Sequence, residues 1–182
     1  VRRFALLPLL LAVFMIGCAH TQSRPGSAES PEIPTGLLTG RDALIVVPVT
    51  VAPGVNVPSG NLDRFTNDVL LALNRPALRH RVPPAFARGT AFRSERPAEV
   101  HVEVISSHRE QRRRFGWIGS KYPVVSVGVS VEFTDPVTGQ PLGEAANLEE
   151  LAGPAEGGSV SSALAVAARQ VAAHVARDFQ ME

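Results

Sequence analysis

Cysteine is nearly missing: Cys18 is the only one in 182 residues. A lone thiol excludes a disulfide framework and any zinc or iron–sulfur site built on several thiolates. Aromatic residues make up 5%, with one tryptophan, Trp117, and one tyrosine, Tyr122, and Lys121 is the only lysine. Neither charge sign prevails: Lys+Arg is 18 against Asp+Glu 17, a formal net charge of +1. That balance argues against a protein held on nucleic acid by bulk charge. No apolar run approaches the ~20 residues needed to cross a bilayer as a helix. The chain has no G-x-S-x-G and no H-E-x-x-H, and its length suits one domain.

What is present begins with an address. Arg2 and Arg3 form a short cationic segment, and Phe4 to Ile16 is apolar apart from Pro8. This has the proportions of a signal-peptide core rather than of a membrane span. It ends at Met15-Ile16-Gly17-Cys18, a small residue and then the thiol. The segment resembles the bacterial lipoprotein signal, although Met15 replaces the usual Leu and Ile16 is bulky. The resemblance implies cleavage before Cys18 and acylation of its sulfur. Acyl chains contribute about 0.8 kcal/mol per buried CH₂, so such a foot holds a protein on a bilayer without a transmembrane helix. Loss of Arg2 and Arg3 leaves no polybasic patch to share that task. Ala19 follows the cysteine where inner-membrane lipoproteins often carry Asp, which implies an outer-membrane lipoprotein facing the periplasm in a diderm cell.

Residues 1–17 are therefore expected to be a signal peptide and 18–40 a flexible tether rich in Ser, Thr, Pro and Gly. A single domain is expected over 41–182. Asp42 to Val51 is a β-branched run read as a buried strand, with Pro48 requiring an edge or a bulge. Asn61 is an expected N-cap for a helix from Leu62 to about Asn74, with a stripe of Leu62, Phe65, Val69 and Leu73. The proline- and arginine-rich stretch Arg75 to Pro97 leaves room for one short strand and one short helix. Ala98 to His108 and Tyr122 to Asp135 alternate with period two, Val100, Val102 and Val104 on one face and Val125, Val127, Val129, Val131 and Phe133 on the other strand's matching face. Arg109 to Lys121 breaks the alternation and is expected to be a long connection. Asp135-Pro136-Val137-Thr138-Gly139 is a turn, after which Gln140 to Leu151 returns as a strand. An alanine-rich helix from Val160 to about Phe179, opened by Gly157-Gly158-Ser159, closes the chain. The sum is an α+β fold: a mostly antiparallel sheet of about four strands, with two main helices packed on one face.

Three segments carry a second resemblance: Arg114-Phe115-Gly116-Trp117-Ile118-Gly119, the Asp135 to Leu142 turn, and the Val160–Phe179 helix. Together they resemble small bacterial lipoproteins built on the fold of the TolB N-terminal domain. Auxiliary lipoproteins of ABC-type lipid transporters share a similar layout.

The densest chemistry lies in Arg112, Arg113, Arg114, Phe115, Trp117, Lys121 and Tyr122, cations interleaved with aromatics between two strands. Such a set suits a partner's carboxylates or anionic headgroups; the plainer alternative is a solvated hairpin whose aromatics fold back on the core. His101 shares a strand face with Glu99 and Glu103 but has no third metal ligand at recognisable spacing. His174 stands near a helix C-terminus, where the dipole favours a cation. Glu144, Glu149 and Glu150 cluster on the last strand, with Glu149 and Glu150 on opposite faces. No cofactor motif and no set of residues with assignable catalytic roles is found. The expectation is a membrane-anchored, non-enzymatic interaction module with an envelope protein as partner and no nucleic acid. The alternative is an auxiliary subunit of a lipid transporter that binds an apolar ligand in a Val/Leu-lined cleft.

Overall fold

Alternation of apolar side chains in the middle of the chain and helical stripes at either side of it produce a two-layer molecule. A computed structural model describes residues 36–113, 121–153 and 157–179, all within one compact unit. The elements are β1 (Ala43–Val46), β2 (Thr50–Val51), α1 (Ser59–Leu73), β3 (Ala85–Ala87), β4 (Pro97–Arg113), β5 (Lys121–Thr134), β6 (Ala146–Ala152) and α2 (Val160–Asp178).

The sheet has six strands rather than the expected four, in the order β3-β1-β4-β5-β6, with β2 also on β4. The meander β4-β5-β6 is antiparallel as the alternation implies, and contributes most of the paired residues. The other border is parallel: β1 pairs with β3 on one side and with β4 on the other, and β2 pairs with β4. Pro48 splits the expected first strand into β1 and β2 because it has no N–H to give to the ladder. Around the break Val47 N donates to Val100 O, and Val49 N donates to Thr66 Oγ1 on α1 at 3.0 Å.

Helix α1 starts earlier than expected. Its cap position is Pro58, which makes no side-chain cap bond, and Asn61 lies inside the first turn. Phe65, Val69, Ala72 and Leu73 are buried, and Leu62 packs partly against the same core. For α2 the cap is Ser159, whose Oγ accepts from Ser162 N at 3.1 Å. The buried stripe of α2 is wide, because Ala163, Ala167, Ala168, Ala172 and Ala176 join Leu164, Val171 and Val175. Small side chains there let α2 approach α1, β5 and β6 closely. Both helices share one core with Val100, Val102, Val104 and the odd-numbered residues Val125 to Phe133, so they lie on the same sheet face. Fully burying Phe65 alone is worth about 1.5–3 kcal/mol.

Two local features differ from the sequence reading, and a third adds to it. Leu38, inside the segment expected to be a tether, is fully buried in the core, and Leu37 packs beside Gly143. The obscure stretch after α1 holds β3 and turns. Asn74 organises it: its Nδ2 donates to Leu70 O and Ala85 O, and its Oδ1 accepts from Ala85 N. His174, near the C-terminus of α2 as expected, is buried; it stacks on Phe133 with ring centroids 6.0 Å apart and lies 3.4 Å from the buried Asp178.

Candidate interaction surface

Charged residues that alternate on a strand must face solvent on at least one side, and this decides the shape of the upper sheet. In the stretch from Arg109 to Lys121, expected as an irregular connection, every described residue is ladder: β4 runs on to Arg113 and β5 begins at Lys121. A bulge between Val104 and Ser106 inserts one residue in β4 and inverts the alternation beyond it. Val100, Val102 and Val104 point to the helices, and after the bulge so do Ser107 and Arg109. His108, Glu110 and Arg112 go to the opposite, open face, where Arg112 is the cross-strand partner of Tyr122.

The third strand stops short. The last pair between β5 and β6 is Val125 with Ala152, so the pairs Glu110–Val124, Gln111–Pro123, Arg112–Tyr122 and Arg113–Lys121 form a two-stranded arm. At about 3.4 Å per residue the described arm extends roughly 13 Å past the end of β6. Its base is fixed by Gly158, where an added Cβ would come within 2.7 Å of Pro123 O.

Of the residues proposed from sequence, Arg112 and Lys121 are exposed and Tyr122 is half-buried. Arg112 Nε lies 3.0 Å from Glu110 Oε2, an ion pair open to water on both sides. Arg113 closes the ladder opposite Lys121. Arg114, Phe115, Trp117 and Cys18 lie outside the described residues. The fold thus brings Arg112, Lys121 and Tyr122 together at one end of the sheet.

Sequence reasoning missed two strand borders. β2 accompanies β4 only as far as Val104, so among the described residues the outer edge of β4 from Ser106 to Arg113 pairs with nothing. The outer edge of β6, Ala146 to Ala152, is likewise unpaired among them. The signal for the first was the density of charge from His108 to Arg113, a common guard on exposed edges.

Elsewhere, His101 Nε2 lies 2.9 Å from Thr134 Oγ1 and 3.2 Å from Glu99 Oε2 on the open face, and Arg88 lies 3.7 Å from Glu99. Among the described residues no group of three or more His, Cys, Asp or Glu side chains is placed to hold a metal. Between α1 and α2 an open groove of about 420 Å³ is lined by Arg64, Ser161, Ser162, Ala165, Val166 and Arg169. Its lining is mixed rather than the Val/Leu wall an apolar ligand would need. Burial pushes the Glu150 carboxyl up, against the opposing pull of Arg169. Asp135 is held below the ordinary 3.8 first by the guanidinium of Arg41 at 2.9 Å and then by the N–H groups of Val137 and Thr138. Asp42 is lowered by the Ser94 hydroxyl, then by the N–H groups of Glu95 and Arg96. Both are structural staples. No helix among the described residues is long and apolar enough to cross a membrane.

No protein-family model and no curated protein sequence matches this chain. Solved structures similar to it include the PelC dodecamer from Paraburkholderia phytofirmans, 17% identical, covering 80% of this chain and 92% of that one at a TM-score of 0.45. A minor lipoprotein from Acinetobacter baumannii is 11% identical, covering 75% and 90% at a TM-score of 0.38. Lipoprotein GNA1162 from Neisseria meningitidis is 16% identical, covering 69% and 93% at a TM-score of 0.38. Bacterial lipoproteins are therefore among the structural neighbours of this mixed α/β chain.

Proposed function

We propose that this chain is a lipoprotein of the bacterial cell envelope, held to a bilayer by acylated Cys18, whose folded unit is a non-catalytic interaction and assembly module. The finer reading places it on the outer membrane facing the periplasm, with a TolB-like layout. One observation carries the interaction role: the arm of β4 and β5 projects beyond β6, its outer β4 edge bearing charged side chains and, among the described residues, unpaired. Arginine and tyrosine in an accessible ladder are suited to meeting carboxylates and backbone groups of a protein partner. The open, arginine-containing groove between the helices gives the apolar-ligand alternative less support.

Two experiments test the reading. Changing Cys18→Ala is expected to abolish lipid labelling and membrane retention; a variant still labelled and retained defeats the anchor. Replacing Arg112, Arg113, Arg114 and Trp117 together with alanine is expected to remove in-cell crosslinks to the envelope partner while the melting temperature stays close to wild type. Retained crosslinks, or an unfolded variant, count against the arm as the docking surface.

A further inference from the structure

Backbone N–H and C=O groups on an unpaired strand edge are a template for another strand. Among the described residues the unpaired edges of the sheet include the three residues of β3, β4 beyond Val104, and β6; the two long ones, on β4 and β6, face away from each other across β5. Their charges are opposite. The β4 edge presents Arg109 and Arg112 against a single Glu110, and His108, Arg109, Glu110, Gln111 and Arg112 are all exposed. The β6 edge presents Glu149 and Glu150, the second within reach of Arg169 on α2, and beside them Leu151 leaves 48% of its surface in water.

We propose that copies of this chain associate head to tail, the basic outer edge of β4 in one copy adding to the acidic outer edge of β6 in the next as one continuous sheet. The inference rests on the docking reading above and names a second copy of the chain as the partner. Charge selects the arrangement. A two-fold contact of β6 with β6 sets Glu149 and Glu150 against themselves, and a contact of β4 with β4 does the same to the arginines. Only the heterologous contact joins unlike signs, and because each copy offers both halves the contact repeats, closing a ring or extending a filament.

Sheet geometry decides which charges can meet. A continued sheet keeps each copy's helix-side residues on one side and its open-face residues on the other. Arg109 and Glu150 both belong to the helix side, and Arg112 and Glu149 both belong to the open face. Since β4 and β6 are each antiparallel to β5, they run in the same direction. A copy added without inversion therefore pairs in parallel. The register that sets Arg109 opposite Glu150 on the helix side sets Glu110 opposite Leu151 and carries Arg112 one residue past the end of β6, so any one register joins a single unlike pair.

The test uses the full chain in excess detergent micelles, with mass read by light scattering as concentration rises. The wild type is expected to exceed the monomer mass, and the excess to fall as salt rises, since the screening length shrinks from about 10 Å at 0.1 M to about 3 Å at 1 M. The variants R109E/R112E and E149R/E150R are each expected to be folded by circular dichroism and monomeric. An equimolar mixture of the two is expected to regain the wild-type mass, because each supplies the charge the other has lost. That recovery separates a broken interface from a broken fold. A wild type that stays monomeric at every concentration overturns the proposal, as do variants whose mass is unchanged or a mixture that stays monomeric. A monomeric wild type leaves the Cys18 and crosslinking experiments untouched, so the two readings fail separately.

Discussion

Single side chains hold the parts of this fold that regular ladders do not reach. Asn74 ends α1 and begins β3 with the same amide, standing in for a strand neighbour that Ala85 lacks. Neutral hydrogen bonds contribute about 1 kcal/mol each, and unsatisfied buried partners cost more, so Asn74→Ala is expected to lose roughly 2–3 kcal/mol in urea unfolding, with β3 amides exchanging first. A loss within a few tenths would assign β3 to packing instead. Asp42 and Asp135 tie β1 to the Ser94–Arg96 segment and to the turn after β5. Their folded pKa values lie below the ordinary 3.8, so near that pH the unfolded chain binds more protons. Their contribution is thus complete above about pH 4 and is lost as pH falls through the folded values. The melting temperature of the double variant Asp42→Asn/Asp135→Asn is expected to lie below wild type at neutral pH, with the gap narrowing below pH 4. A gap that is constant with pH would show that charge is not what the two carboxylates contribute.

At the scale of elements, the arm is decided by where its neighbours stop. β2 is two residues long because the chain must leave the sheet to begin α1, and β6 ends at Ala152 because the Gly157–Gly158 turn redirects it into α2. Gly158 has φ +52 and sits against Pro123 O, whereas Gly139 has φ +69 and open space where a side chain would be. Alanine in the left-handed region costs about 1–2 kcal/mol. Gly139→Ala is expected to cost that much and no more, while Gly158→Ala adds a backbone clash and is expected to lose at least about twice as much. Equal losses would mean that α2 does not brace the base of the arm. The bulge at Ile105 has a further effect: it turns Arg109 toward the helix side and Arg112 toward the open face, so the arm is charged on both faces.

For the molecule as a whole, the expected outcomes concern an anchor, tested by Cys18→Ala, and a sheet whose β4 and β6 borders are tested by charge exchange. Much of the body between them was legible in the chain itself. The valine alternations of β4 and β5 and the stripes of α1 and α2 fix which side chains face inward, because burial with period 2.0 or 3.6 is a property of local geometry. The Asp135 turn and the Ser159 cap are local for the same reason: the groups they satisfy lie two to five residues away. Other features depend on residues distant in the chain. β3 is three residues held by Asn74, too short to show alternation. His174 is buried only because Asp178 and Phe133 meet it in the core. The continuation of β4 to Arg113 looked like a loop because its charges follow no buried face. By itself the sequence determined the class of fold, the anchor signature and the cationic stretch, since each is written in neighbouring residues. Only the tertiary structure decided that β1 pairs in parallel on both sides and that, among the described residues, β4 beyond Val104 and β6 are left unpaired with opposite charge at their outer edges. Strand order is set by which distant surfaces bury each other best, and no local pattern carries that information.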